Sequence, residues 1–213
     1  MLIPYYDIQQ VLTSYNIHPN GALHIGAHDC EELSFYKQLS ISSEKVVWID
    51  ALPDKVQQAK ARGIPNVYHA VVTDQDDQEV MFHVSNNGQS SSVLEFGTHA
   101  QEHPSIVYTH MLRQQSVTID TFSKRNNIDL STHDFWNFDI QGAELMALKG
   151  AVQSLPYAKA LYLEVNVKEL YQGCGLMTEI DQFLAPYRFK RVLTNMTSHG
   201  WGDALYVFDS SMT

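Results

Sequence analysis

A short apolar run, Ala22-Leu23-His24-Ile25, ends at Gly26, and a second run, Val46-Val47-Trp48-Ile49, ends at Asp50, 24 residues beyond that glycine. A glycine in such a place lets the chain turn tightly and brings backbone amides of the next helix toward a ligand. A carboxylate about 20 residues further on is where nucleotide-binding sheets put their acceptor for ribose hydroxyls. Together the two fit an adenosine-containing ligand, while each alone fits a plain turn or a helix cap. Ala27, His28, Asp29 and Cys30 follow Gly26, so the G-x-G-x-x-G fingerprint is missing, and no Walker pattern occurs. A nicotinamide enzyme or an ATPase is disfavoured, and a nucleoside without phosphates stays open.

Further reactive side chains follow later strands. Asp139, Gln141 and Glu144 come after Phe135 to Phe138; Glu164 and Asn166 come at the end of Leu161 to Val165; His199, Trp201 and Asp203 surround a turn near the carboxyl end. Asp139 closes an apolar strand, where partial burial would suit it to act as a general base. The alternative is a carboxylate spent on the amides of its own loop. Gln141 has no proton to exchange and can only orient. Asp139, Glu164 and Asp203 are oxygen ligands of the kind magnesium takes, although their spacing does not show convergence. The ten histidines form no tight zinc constellation, since His24 and His28 span a strand end and a turn rather than one helix face. Trp201, between Gly200 and Gly202, is a candidate stacking surface.

The elements that must position these residues alternate. An N-terminal helix is expected over about 4–16, with Ile8, Val11, Leu12 and Tyr15 on one face. Strands are expected at Ala22 to Ile25, Lys45 to Ile49 and Val67 to Val72, with helices around Phe35 and from Pro53 to Gly63 between them. Glu79 to Val84 reads as extended. Asn86 to Gln115 reads as a long loop with one helix near Ile106 to Arg113. Val117 to Ile119 reads as a short strand and Asp120 as a helix cap; Phe135 to Phe138 is a buried strand, and a helix carries Leu145, Leu148, Val152 and Leu155 in register. A strand at Leu161 to Val165 and a helix through Leu176, Ile180, Phe183 and Leu184 precede two strands, Arg188 to Leu193 and Ala204 to Phe208, that should pair antiparallel. This is an α/β pattern: a mostly parallel sheet, helices on both faces, and an antiparallel C-terminal hairpin, with ligands outside the carboxyl ends of the strands.

The composition bounds the partners. Fourteen Lys and Arg against 24 Asp and Glu give a formal charge of −10, and the basic residues never cluster, so there is no footprint for a phosphate backbone and nucleic acid is not expected. The apolar runs are strand-sized, short of the ~20 residues of a membrane span, and no secretory signal is visible. Two cysteines, Cys30 and Cys174, suggest a reducing compartment, read as the cytoplasm. With no linker or repeat, one domain is expected over 1–213. The oligomeric state is not legible.

Four segments then resemble one family in order along the chain. They are Gly21-Ala-Leu-His-Ile-Gly-Ala-His28, Val47-Trp-Ile-Asp50-Ala-Leu-Pro53, Phe138-Asp-Ile-Gln-Gly-Ala-Glu-Leu-Met-Ala-Leu-Lys-Gly150 and Gly200-Trp-Gly-Asp-Ala-Leu-Tyr206. They resemble the FkbM family of S-adenosylmethionine-dependent methyltransferases. The resemblance implies a three-layer, class I methyltransferase (Rossmann-like) sheet of seven strands. It also implies transfer of a methyl group to a hydroxyl, most often of a sugar, glycan or similar hydroxylated small molecule. By that resemblance Gly26, Ala27 and His28 cradle the methionine part of S-adenosylmethionine, Asp50 holds the ribose, and Asp74 falls where adenine is contacted. His24, Glu32, Ala51 and Ser91 complete the expected cofactor contacts, together with Asp139. Catalysis is assigned to Asp139, Glu164 and Asp203, which are also the possible magnesium ligands. Acceptor binding is assigned to Gln141, Asn166, His199 and Trp201. The family usually has an acid where His24 stands and often a glycine where Cys30 stands. These departures keep one alternative open, a non-catalytic cofactor- or glycan-binding module on the same fold.

Overall fold

A computed structural model describes residues 1–210, and the last three residues of the expected 1–213 domain lie outside them. Helix α1 (Tyr5–Ser14) follows Pro4, a residue whose fixed φ suits a helix start, and buries Ile8 and Leu12. Then come β1 (Ala22–Ile25), α2 (Leu33–Gln38), β2 (Val46–Asp50), α3 (Pro53–Ala61) and β3 (Val67–His69). Strands β4 (Val71–Val72) and β5 (Glu79–Ser85), helix α4 (His99–Glu102) and strand β6 (Tyr108–Val117) follow. The remainder is α5 (Ile119–Arg125), β7 (Phe135–Phe138), α6 (Glu144–Lys149), β8 (Ala160–Asn166), α7 (Met177–Leu184), β9 (Phe189–Met196) and β10 (Trp201–Phe208).

Seven strands form one sheet in the order β3-β2-β1-β7-β8-β10-β9. The first five are parallel, and β10 runs antiparallel to both β8 and β9. The period-2 alternation of a strand sends neighbouring residues to opposite faces, and both faces are apolar because helices cover both. Leu23, Ile25, Val47, Ile49, Trp136, Phe138, Leu161 and Leu163 pack with Ile119 and Phe122 of α5, Leu148 of α6 and Ile180 of α7. Ala22, Val46, Trp48, Phe135 and Tyr162 face Ile8 and Leu12 of α1, Phe35 and Tyr36 of α2 and Val56 of α3. Among the described residues no helix is long and apolar enough to cross a membrane.

The middle of the chain departs from the sequence expectations. The expected strand Val67 to Val72 breaks at Ala70, whose amide bonds the Asp50 carbonyl at 3.1 Å, and the chain leaves the large sheet there. Val71 and Val72 pair instead with Ser116 and Val117 in a second sheet of order β4-β6-β5. The helix expected near Ile106 to Arg113 is strand β6, which pairs antiparallel along the whole of β5, from Glu79↔Gln115 to Ser85↔Tyr108. A helical spacing of apolar residues loses to that long-range ladder, in which β5 pairs with alternate backbone groups of β6. Val117 ends β6 rather than opening a strand of its own. Thr118, not Asp120, caps α5 by accepting from Thr121 N at 3.1 Å, while the Asp120 carboxylate takes the amides of Gln153 and Ser154 at 2.9 Å each. Helix α6 stops at Lys149, so Val152 falls out of the expected stripe and lies exposed.

The link from β7 to α6 is built around Glu144. Its carboxyl is fully enclosed and turns back so that Oε1 accepts from Ile140 N at 2.9 Å and Gly142 N at 3.3 Å, while Oε2 has no hydrogen-bond partner among the described residues. Burial, followed by the charge of Asp139, pushes its pKa up to about 8. A carboxyl raised in the folded state above its usual 4.5 favours folding while protonated, and that contribution is lost as pH climbs from about 4.5 to about 8. Glu144→Gln mimics the protonated form, so it should raise the melting temperature relative to the natural chain at pH 8.5 and change it little at pH 4.5. Thermal melts across that range check it; a shift of the same size at both ends would contradict the buried-acid account.

Candidate active site

The register of the large sheet sets the site. Ile49 pairs with Ile25, Ile25 with Phe138, Phe138 with Leu163, and Asp203 lies directly opposite Glu164. The next residue in each parallel strand therefore stands in one row across five neighbouring strands: Asp50, Gly26, Asp139, Glu164, Asp203. Alternation sends all their side chains to the face that carries Trp48 and Tyr162. The row forms the floor of a cavity of about 500 Å³.

At the Gly26 end the loop is tightly formed. Gly26 has φ +90, and a Cβ there would overlap the Asp139 carbonyl oxygen, so only glycine lets the loops after β1 and β7 come together. Cys30, where a glycine is common in the family, adopts φ +54, the left-handed region that glycine enters without strain. Burial pushes its thiol up to about 12, so it is a packed apolar group and not a nucleophile. Asp50 accepts from His28 N and from Leu52 N, each at 2.7 Å. Its carboxyl is nearly buried and its pKa is raised, first by that burial. Beside it Ala51, Leu52, Val71 and Phe82 give an apolar slot, and Gly26, Glu31 and Glu32 rim the opposite side.

At the other end three carboxyls crowd together. Gln141 has φ +56, and that turned backbone aims its amide Nε2 at Asp139 Oδ1 (2.8 Å) and Glu164 Oε2 (2.6 Å). The Tyr171 hydroxyl donates to Gln141 Oε1 at 2.6 Å, which fixes which way the amide faces. Ser92 Oγ donates to the Gln141 carbonyl at 2.9 Å and so ties the Asn86–Ser92 loop to the turn. Glu164 is enclosed; burial, then the charges of Asp139 and Glu144, hold its pKa well above the ordinary carboxylate range. Asp139, one residue past the end of β7, is exposed rather than partly buried as the sequence suggested, so the proton of these neighbouring acids belongs to the enclosed Glu164. Asp203 is engaged by the Tyr162 hydroxyl and by Leu2 N, and its pKa is also raised by burial.

Of the residues singled out from the sequence, Gly26, His28, Glu32, Asp50, Ala51, Ser91, Asp139, Gln141, Glu164, Trp201 and Asp203 line the cavity. Five others do not. His24 lies one pleat below the floor, its ring against Trp48 and its Nδ1 bonded to the Tyr36 hydroxyl at 2.8 Å, because it sits two residues before Gly26 on the same face. Ala27 is packed in the core and its amide bonds the Ile49 carbonyl. Asp74 lies past the end of β4 against Gly150, since the break at Ala70 carries that segment into the second sheet; Val71 and Val72 reach the cavity instead. Asn166 is wholly enclosed. His199 bonds Glu102 Oε2 at 2.8 Å beside the cavity rather than in its wall. Sequence reasoning missed Tyr171, His99 and Phe82. Only Phe82 had a signal, the alternation Val80, Phe82, Val84; the other two reach the cavity through loops.

For magnesium the expected trio is a poor set. The oxygens of Asp139 and Glu164 already meet an amide N–H, and Asp203 meets two further donors. Among the described residues, only His28, Asp29 and Glu31 bring three such ligand atoms within 4.8 Å of one another, and Lys55 Nζ is bound there to Asp29 at 2.9 Å.

Comparison with known proteins follows the same lines. A search of curated protein sequences finds no significant match. Among solved structures, magnesium protoporphyrin IX methyltransferase from Synechocystis PCC 6803 with bound SAM is similar at 13% identity and TM-score 0.47, covering 96% of this chain and 78% of that one. The O-methyltransferase from Bacillus cereus in complex with SAH has 12% identity and TM-score 0.47, covering 96% and 80%. Precorrin-6y C5,15-methyltransferase from Geobacter metallireducens has 10% identity and TM-score 0.42, covering 98% and 91%. A family model, the methyltransferase FkbM domain, matches residues 24–191, which include Gly26, Asp50, Asp139 and Glu164. The chain therefore belongs to the FkbM family of methyltransferases.

Proposed function

We propose that the protein, acting as one domain, transfers a methyl group from S-adenosylmethionine to a hydroxyl, of the kind a sugar or glycan offers. The observation that carries this reading is the row itself: a cofactor cradle at Gly26 and Asp50, then exposed Asp139 beside the enclosed, proton-holding Glu164, on neighbouring strands of one sheet. The residues fit the cofactor. Asp50 faces the cavity with acceptor capacity for ribose hydroxyls, the slot of Leu52, Val71 and Phe82 suits a purine, and Glu31 and Glu32 suit an ammonium and a sulfonium. When bound, the cofactor supplies an electrophilic methyl group.

The chain does the rest. Methyl transfer to oxygen is an in-line displacement, so holding the hydroxyl in place supplies much of the rate. As the carbon–oxygen bond forms, the hydroxyl proton must leave, and Asp139, beside the cofactor loop, accepts it. Glu164 keeps its own proton and lies within the same hydrogen-bonded group, so Asp139 need not share the space with a second full charge. Gln141, held by Tyr171 and Ser92, positions both carboxyls. A non-catalytic module has no comparable need for an exposed carboxyl beside a proton-holding one at the cofactor loop. A cytoplasmic, reducing setting agrees with the unpaired, buried Cys30 and Cys174.

Asp50→Ala should weaken S-adenosylhomocysteine binding at least tenfold by isothermal calorimetry, and no measurable heat with the natural chain would end the methyltransferase reading. Asp139→Asn should lower kcat at least a hundredfold with cofactor affinity kept within about threefold, and unchanged turnover would remove Asp139 from the chemistry. Because the acids hold protons and amides rather than an open oxygen cage, dialysis against EDTA should leave turnover unaltered; recovery of lost activity by added magnesium would refute that.

A further inference from the structure

The cavity wall also carries aromatic residues, of which only Tyr171 enters the reaction as described, by holding Gln141. Phe96 is sandwiched between His99, at 4.3 Å and 11° between planes, and Tyr108, at 3.8 Å and 16°. Tyr171 packs on Phe96 and on His99, with ring centroids 5.7 and 5.4 Å away. The hydroxyl of the same Tyr171 holds Gln141, so this aromatic block is joined directly to the carboxyl pair. Phe96 and Tyr108 stand behind; His99, Tyr171 and Trp201 are what the cavity meets.

His99 is 5% exposed, and its ring forms no hydrogen bond among the described residues, with Nδ1 fully enclosed. Burial lowers its pKa to about 4, so the ring is neutral at physiological pH. A neutral imidazole offers one donor and one acceptor, and a buried polar atom without a partner has lost its hydration uncompensated. An imidazole that no protein group satisfies, in a cavity wall beside an active site, is suited to a ligand's hydroxyl.

Charge narrows the ligand further. No lysine or arginine lines the cavity, whereas Glu31, Glu32, Asp50, Asp139, Glu164 and Asp203 all do. A phosphate or carboxylate carried in by the acceptor would meet these acids with no guanidinium or ammonium side chain to offset them, and the amino terminus, beside Asp203, already faces that carboxyl.

We propose that His99, Tyr171 and Trp201 form the acceptor subsite, and that it takes an uncharged, hydroxyl-bearing ring, such as a sugar in neutral glycosidic linkage, and rejects sugar phosphates. This deepens the methyltransferase reading and rests on it. Aromatic faces hold the ring, and His99 bonds a hydroxyl that does not react, which turns the reacting hydroxyl toward Asp139.

The test uses the full chain saturated with S-adenosylhomocysteine and compares, by saturation-transfer NMR and competition titration, the methyl glycosides of glucose, galactose, mannose and fucose with the 1-phosphates of the same sugars. At least one methyl glycoside should bind, and its 1-phosphate should bind at least tenfold more weakly. His99→Ala should weaken that glycoside tenfold or more. His99→Phe, which keeps the stack on Phe96 and removes both nitrogens, should do the same with an unchanged melting temperature. Both variants should hold S-adenosylhomocysteine within twofold of the natural chain. Binding of none of the glycosides, equal or tighter binding of a 1-phosphate, or full glycoside affinity in folded His99→Phe would each overturn the subsite. Loss of S-adenosylhomocysteine binding in the natural chain would instead sink the methyltransferase reading, so the two failures are distinct.

Discussion

An enclosed acid beside a neighbouring carboxyl is held in its protonated form, and the site is organised around that constraint at Glu164. Asp139, Glu164 and Asp203 are neighbours because β7, β8 and β10 share a register, not because of any local motif. Removing the charge of Glu164 by protonation is far less costly than burying another carboxylate beside Asp139. Gln141 completes the arrangement: its left-handed backbone and the Tyr171 hydroxyl leave its amide only one way to face, toward both acids. Glu144, enclosed under the same turn, braces the backbone amides of Ile140 and Gly142 and adds to the repulsion that keeps Glu164 neutral.

The second sheet contributes the rest of the pocket. Because the chain leaves the large sheet at Ala70, Val71 and Val72 lie at the end of the cavity and Phe82 of β5 closes its apolar slot. The segment between β5 and β6 then crosses over the row. Its Ser92 hydroxyl reaches Gln141, and its Phe96 and His99 rings stack with Tyr108 at the start of β6. Glu102 of α4 is held by Lys168 and by His199, so the crossing segment is tied to the loop after β8 and to the β9–β10 turn. These attachments join the two ends of the row into one cavity.

An acidic interior suits a cationic cosubstrate. The chain carries a formal charge of −10, and among the described residues carboxyls with no lysine or arginine beside them line the cavity. The field attracts cations and opposes anions, so the groups that line the cavity bias it toward cationic or neutral ligands.

The sequence by itself determined the α/β alternation, the seven strand positions, the C-terminal hairpin and the two ends of the row, because hydrophobic period, Gly26 and strand-terminal acids are local signals. The family was legible for the same reason, in the Asp-x-Gln-Gly-x-Glu segment. Only the tertiary structure decided what depends on pairing between distant segments. The β5–β6 ladder turned an expected helix into a strand, and the break at Ala70 moved Asp74 away from the cavity. Strand register placed His24 beneath the floor, and loops brought Tyr171 and His99 into the wall. None of these has a periodic signature, since each is set by which backbone finds which partner across the fold.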